Sequence, residues 1–250
     1  MLSNDKLIQE AASFKGDAKK QFESALKALL ALAWRYRNEV EGDFKWESNP
    51  ELYDEALRIC REMTDGCEQD AKQRLFALVQ DTFDYADEDA AWDFIYDYDG
   101  ENITTRFDMS GSHLLSLLNV WIAAAFVNGF TKEYTRISIL RYLNNPFASG
   151  LFGAWGKDVF KWGRGYSKNI ADQLAVIGQN AIIGGYRYAE WVDAQSKGAM
   201  YYIRRRGSTY DCPSCDELCG YPIPIETPFE YLHSRCCCYP EYFYEPMPNV

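Results

Sequence analysis

Asp211–Phe243 reads DCPSCDELCGYPIPIETPFEYLHSRCCCYPEYF and holds six of the chain's eight cysteines and one of its two histidines. Cys212 and Cys215 are separated by Pro213 and Ser214. That spacing makes a tight knuckle from which two thiolates face one cation, and tetrahedral zinc completes such a pair with a second pair from elsewhere. The second pair lies in HSRCCC, His233–Cys238. Cys236 with Cys238, or His233 with Cys236, completes four-coordination, and spacing leaves both open. A lone C-x-x-C is weak; one followed, after a finger-sized loop, by H-x-x-C-x-C is a strong metal signal. Cys219 and Cys237 are left as spare thiols or alternative ligands. Cys237 falls between two candidate ligands, so its side chain is expected to turn away from the metal.

The loop between the pairs explains why a metal is needed. Asp216–Tyr231 contains Pro222, Pro224 and Pro228 and few large apolar residues. Such a segment cannot build its own core, and bound metal supplies the missing folding free energy. Disulfides are the competing use of the sulfur and are disfavoured in a reducing compartment. A redox C-x-x-C belongs in a βαβ setting, which the sequence lacks.

Upstream, the first ~200 residues carry helical rather than strand periodicity. Ser3 is placed to cap a helix running to about Val40, with Phe22, Leu26, Leu29, Leu30 and Ala33 on one face. A second helix is expected over Glu51–Met63 and a third over Cys67–Tyr85. In Asp81–Glu101, Trp92, Phe94, Tyr96 and Tyr98 alternate with acids, which reads as a short strand or an extended edge. Asp97–Gly100 reads as an acidic turn rather than a calcium loop, because EF-hand spacing is missing. A helical stretch is expected from His113 to Gly129, with His113 a capping or internally satisfied histidine. Another is expected from Lys132 to Leu143. A Gly-rich aromatic connection follows over Phe147–Gly165, then a long helix from Ser167 to Gln195 in which Gly184-Gly185 implies a kink or a close crossing. The expected organisation is a helical region at 1–145, a connection and long helix at 146–200, and a Cys/His module at 201–250. The fold class is mainly α, with a small C-terminal zinc-knuckle module, treble-clef-like, containing short strands.

Composition narrows the function. The net charge of −11 argues against a general nucleic-acid binder, since phosphate binding rests on Lys and Arg. Local contact by Arg204, Arg205 and Arg206, with phosphate or an acidic partner, remains open. Two histidines leave few candidates for histidine-based catalysis. Met1–Glu10 has no apolar signal-like run. The apolar stretch Leu114–Val127 is interrupted by Ser116 and Asn119 and reads as a buried helix, not a membrane span.

The closing segment Tyr202–Cys238 resembles the phage Mu F-like minor head proteins, the phage head morphogenesis family. The resemblance rests on Cys212 and Cys215, then Gly220, then Pro222 and Pro224 in the loop, then His233, Cys236 and Cys238 in the family's H-P-x-C-R-C position. Ser234 stands where the family has Pro, and Cys237 where it has Arg. Ala199–Arg206, AMYYIRRR, is similar to the family's approach to the motif. The resemblance implies a non-enzymatic minor component of a phage or prophage head. It would be made in the host cytoplasm, reside in the virion, and contact the portal protein, the major capsid protein, or both, with DNA touched locally and no membrane involved. The spacing, not the resemblance, gives the cofactor: a structural zinc, with Cys212, Cys215, His233, Cys236 and Cys238 as candidate ligands. Twelve residues follow Cys238, so no further domain is expected beyond the motif. The competing reading is a treble-clef zinc nuclease or DNA-binding module, built on the arginine triplet.

Overall fold

The computed structural model describes residues 2–38, 44–97, 102–143, 170–207, 212–229 and 236–247. Helix α1 covers Asn4–Arg35, α2 Pro50–Thr82, α3 Glu88–Tyr96, α4 Ile103–Val127, α5 Lys132–Leu143 and α6 Ile170–Ser196. Local chemistry sets their starts. Ser3, Asn49, Asp87 and Asn102 each accept a hydrogen bond from a first-turn backbone N–H of α1, α2, α3 and α4 respectively. These polar caps satisfy donors that a helix otherwise leaves orphaned. Pro50 adds a preset φ at the start of α2.

The centre of the body is α6. Most of its residues are buried, on every side. It packs against α1, α2, α3 and α4, so the long helix shares one core with the N-terminal helices. Two glycines permit this. A Cβ at Gly178 would run into the Phe14 ring, lying 2.8 Å from Cδ1 and nearer still to two other ring carbons. One at Gly185 would meet Leu75 and come within 3.3 Å of the Ala91 carbonyl. The expected signal at Gly184-Gly185 is therefore a close crossing in an unbroken helix.

Three expectations are corrected. The second and third helices are one, α2, because the buried stripe Ile59, Met63, Cys67, Ala71, Leu75 and Val79 continues through Gly66. A single internal glycine costs about 1 kcal/mol, which thirty residues of packing overcome. The aromatic alternation after Asp81 is not a strand but α3, burying Ala91, Trp92 and Ile95 at helical spacing. Asp87 caps it, and Glu88 and Asp89 favour its positive end. Finally, α4 begins ten residues before His113, at Ile103. His113 is neither cap nor start; it is buried in mid-helix, 3.4 Å from the Gln173 side chain on α6. Burial holds its pKa below the usual histidine value.

By length and apolarity α4 could cross a membrane, but half of its apolar window is buried within the structure, and it packs on α2 and α6. The Phe147–Gly165 connection lies outside the described residues, as do residues 98–100 of the acidic turn, whose first residue, Asp97, is the C-cap of α3.

After α6, Gly198 at φ 86° turns the chain into a three-stranded antiparallel sheet. The strands are β1 Tyr201–Arg205, β2 Pro222–Pro224 and β3 Tyr239–Phe243, in the order β2-β1-β3. Tyr202 pairs with Ile223 on one side and Tyr242 on the other. The protein is thus mainly helical with a small C-terminal sheet carrying a cysteine cluster. That sheet is fused to the body. The Trp191 indole N–H on α6 donates to the Ile225 carbonyl at 2.7 Å, and Tyr202, Ile225 and Phe229 join the common core.

Candidate metal centre

Strand β1 leads into the site. Side chains alternate along a strand, so Tyr202 and Arg204 share a face. Both are buried: the Tyr202 hydroxyl donates to the Pro228 carbonyl at 3.2 Å, and the Arg204 guanidinium lies 4.0 Å from the centre of the Phe229 ring. A cation stacked this way on a buried aromatic face is worth up to about 2 kcal/mol.

The knuckle comes next. Cys212 precedes a single helical turn, Pro213–Asp216, with Pro213 at its first position. The Cys215 and Asp216 N–H groups donate to the Cys212 carbonyl at 3.0 and 2.9 Å. The Cys219 N–H donates to the Cys215 carbonyl at 2.9 Å, which continues the helical geometry. Gly220, at φ 90°, then returns the chain to β2 and donates its N–H to the Arg204 carbonyl at 3.1 Å. That left-handed backbone is where glycine is needed.

The second arm, Cys236–Cys238, runs directly into β3. It brings Cys236 and Cys238 against Cys215. The three sulfurs lie within 4.8 Å of one another, all buried, with Cys215 Sγ 3.8 Å from Cys236 Sγ. No disulfide joins them. Cys212 lies beside Cys215, and Cys219 beside Cys238, each within hydrogen-bonding reach. Three buried thiols converging on one point, with two more at the edges, could hold a soft or borderline metal ion.

The surroundings suit a cation. Burial, and then the adjacent Cys238 and Cys212, push the Cys215 thiol up to about 12. Burial and Cys238 push Cys219 up to about 11. The hydrogen bond with Cys236, and then burial, raise Cys238. Crowded thiols resist ionising together, and a bound divalent cation reverses this, since a coordinating thiol is deprotonated outright. The Gly207 backbone N–H points at the Cys238 sulfur and lowers its pKa in opposition. Donors of this kind orient and stabilise ligating sulfur.

The site is tied to the helical body at α1. The Asn4 amide donates to the Cys237 carbonyl at 3.3 Å, and Arg187 on α6 donates to the Asn4 side-chain oxygen. Arg187 also pairs with Glu190 at 2.6 Å, both side chains 3% exposed.

Of the residues expected at the site, Cys215, Cys236 and Cys238 are brought together and Cys212 lies at their edge. His233 and Arg235 fall outside the described residues. The arginine triplet is engaged within the module. Arg204, at 2% exposed, is stacked under the sheet and cannot be the solvent-facing phosphate contact that the sequence suggested. Arg205 donates to Glu241 across the β1–β3 pair at 2.6 Å. Arg206 donates to the Cys212 carbonyl at 3.3 Å and to Asp216. Its charge lies beside Cys238, Cys215 and Cys219. Sequence reasoning left Cys219 and Cys237 unassigned, and of the two Cys219 lies beside Cys238. Its signal was the four-residue step from Cys215, which puts both thiols on one face of a helical turn.

A scan against protein-family models gives no match, and no curated protein or solved structure matches the chain.

Proposed function

We propose that this chain is a non-enzymatic minor head protein of a bacteriophage or prophage, acting in portal and head assembly, with a structural zinc in its C-terminal module. The observation that carries the reading is the ordered pattern of Cys212, Cys215, Gly220, Cys236 and Cys238, with Cys215, Cys236 and Cys238 brought together. Zinc is favoured by donor chemistry and spacing. A tetrahedron with metal–sulfur bonds of about 2.3 Å has sulfur–sulfur edges of about 3.8 Å. The Cys215–Cys236 separation is 3.8 Å. The burial of the thiols favours a structural over a catalytic ion, because a catalytic zinc keeps one position open to water or substrate.

In this reading the module closes the helical body and presents its outer surface to the portal protein, the major capsid protein, or both. The protein is made in the host cytoplasm and resides in the virion. The competing reading, a zinc nuclease or DNA-binding module, draws on Arg204, Arg205 and Arg206. Their engagement with Phe229, Glu241 and Asp216 weakens it.

The test is peptide mass spectrometry on gradient-purified particles and proheads from an induced or infected culture. Peptides of this chain at low, fixed stoichiometry to the major capsid protein are expected. Absence from both particle types removes the assembly role. Metal analysis of the purified chain is expected to give one zinc per molecule.

A further inference from the structure

The sulfurs of the module outnumber the positions of a tetrahedral ion. Cys215, Cys236 and Cys238 form a triangle. Cys212 joins at the Cys215 corner and Cys219 at the Cys238 corner. The backbone explains the placement. Hydrogen bonds from Cys215 N–H to Cys212 O at 3.0 Å, and from Cys219 N–H to Cys215 O at 2.9 Å, give this segment helical geometry. Cys212 and Cys219 stand three residues before and four after Cys215. Position i+4 lies on the face of residue i, one turn above it, and Cys212, the extended N-cap of the turn, lies beside Cys215 from the other end. A cation held by the triangle therefore has a thiol within reach from each side. Both flanking thiols are half-buried, neither fully in solvent nor locked in the core. Zinc has no directional d-electron preference, so small movements of either thiol satisfy the fourth position.

We propose that Cys219 and Cys212 are interchangeable fourth ligands, so that five thiols serve one ion through two tetrathiolate sets. This rests on the metal-centre reading but not on the phage role. The exchange is ligand substitution without redox change. One thiol binds the ion as its thiolate, releasing a proton, and the departing thiolate takes that proton up. The centre then keeps its ion and its charge when one flank of the knuckle is displaced, for example as a partner docks on the exposed turn at Pro213–Glu217. His233 is not required as a ligand.

Zinc X-ray absorption on the full purified chain reads the ligand set directly, because zinc–sulfur and zinc–nitrogen distances differ, at about 2.3 and about 2.0–2.1 Å. Wild type, Cys212→Ser and Cys219→Ser are each expected to show four sulfurs. The double variant is expected to fall to three sulfurs with one nitrogen or oxygen. Circular dichroism of the helical body confirms that each variant is folded. A fall to three sulfurs in either single variant alone overturns the interchange and assigns that cysteine as the sole fourth ligand. Three sulfurs and one nitrogen in wild type, lost in His233→Ala, overturns it in favour of the histidine. A wild-type chain that binds no zinc removes the metal reading itself, which is a distinguishable result.

Discussion

Gly207→Ala is a small change whose effect on the metal centre follows from the geometry. Gly207 joins β1 to the knuckle, and its N–H points at the Cys238 sulfur. A methyl group there would overlap the carbonyl carbon and oxygen of Cys237 and lie 2.9 Å from the Asn4 amide nitrogen. Neither neighbour can retreat. The carbonyl belongs to the backbone between Cys236 and Cys238, and Asn4 is held by Arg187. Relieving the overlap takes a main-chain shift on the order of 1 Å, against a tolerance of about 0.2 Å in metal–ligand distances. Overpacking costs about 1–3 kcal/mol. Losing a hydrogen bond to charged sulfur adds about 1.5–3 kcal/mol, for a combined loss of about 2.5–6 kcal/mol. Gly16→Ala is the control, because an added Cβ meets nothing within 4 Å on the exposed side of α1. There the same change is expected to stabilise by about 1 kcal/mol through helix propensity. The assays are zinc content by mass spectrometry and guanidinium unfolding followed by circular dichroism. If Gly207→Ala keeps full zinc and the wild-type midpoint, the close approach of the two backbones is wrong.

Arg187→Met strands the Glu190 carboxylate in the core. Burial already raises the Glu190 pKa against the opposing pull of Arg187, and breaking such a buried pair costs about 3–5 kcal/mol, read as a lower unfolding midpoint. His113 has a folded pKa below its ordinary 6.5, so the unfolded chain takes up a proton first on acidification. Stability is therefore fully present above about pH 6.5 and lost as pH falls from there toward the folded value. His113→Gln should flatten that segment of a stability–pH curve, and an unchanged slope would show that other groups cause it. Arg205→Ala breaks an exposed pair with Glu241 and should leave both the unfolding midpoint and the zinc content unchanged; a large, salt-sensitive loss of DNA retention would revive the nucleic-acid reading.

What the sequence alone determined is whatever nearest neighbours along the chain decide. Caps such as Ser3 and the apolar stripe of α1 were legible, because their causes lie within one or two turns; Gly184-Gly185 left a kink and a close crossing both open, and Leu75 and Ala91, distant in sequence, decide for the crossing. So was the tight turn from Cys212 to Cys215, since C-x-x-C is a local geometry. The Asp87 cap and acidic first turn of α3 were also present in the sequence, but the alternation of Trp92, Phe94 and Tyr96 masked them. Only the tertiary structure decided that α2 runs through Gly66, because the reward for continuing is packing against α1, α4 and α6. It also turned Arg204 inward, since Phe229, the aromatic face that receives it, is twenty-five residues away. The convergence of Cys215 with Cys236 and Cys238 is of the same kind. Spacing said that these thiols could meet; the pairing of β1 with β3 brings them together, and the buried contact with α6 makes that pairing stable.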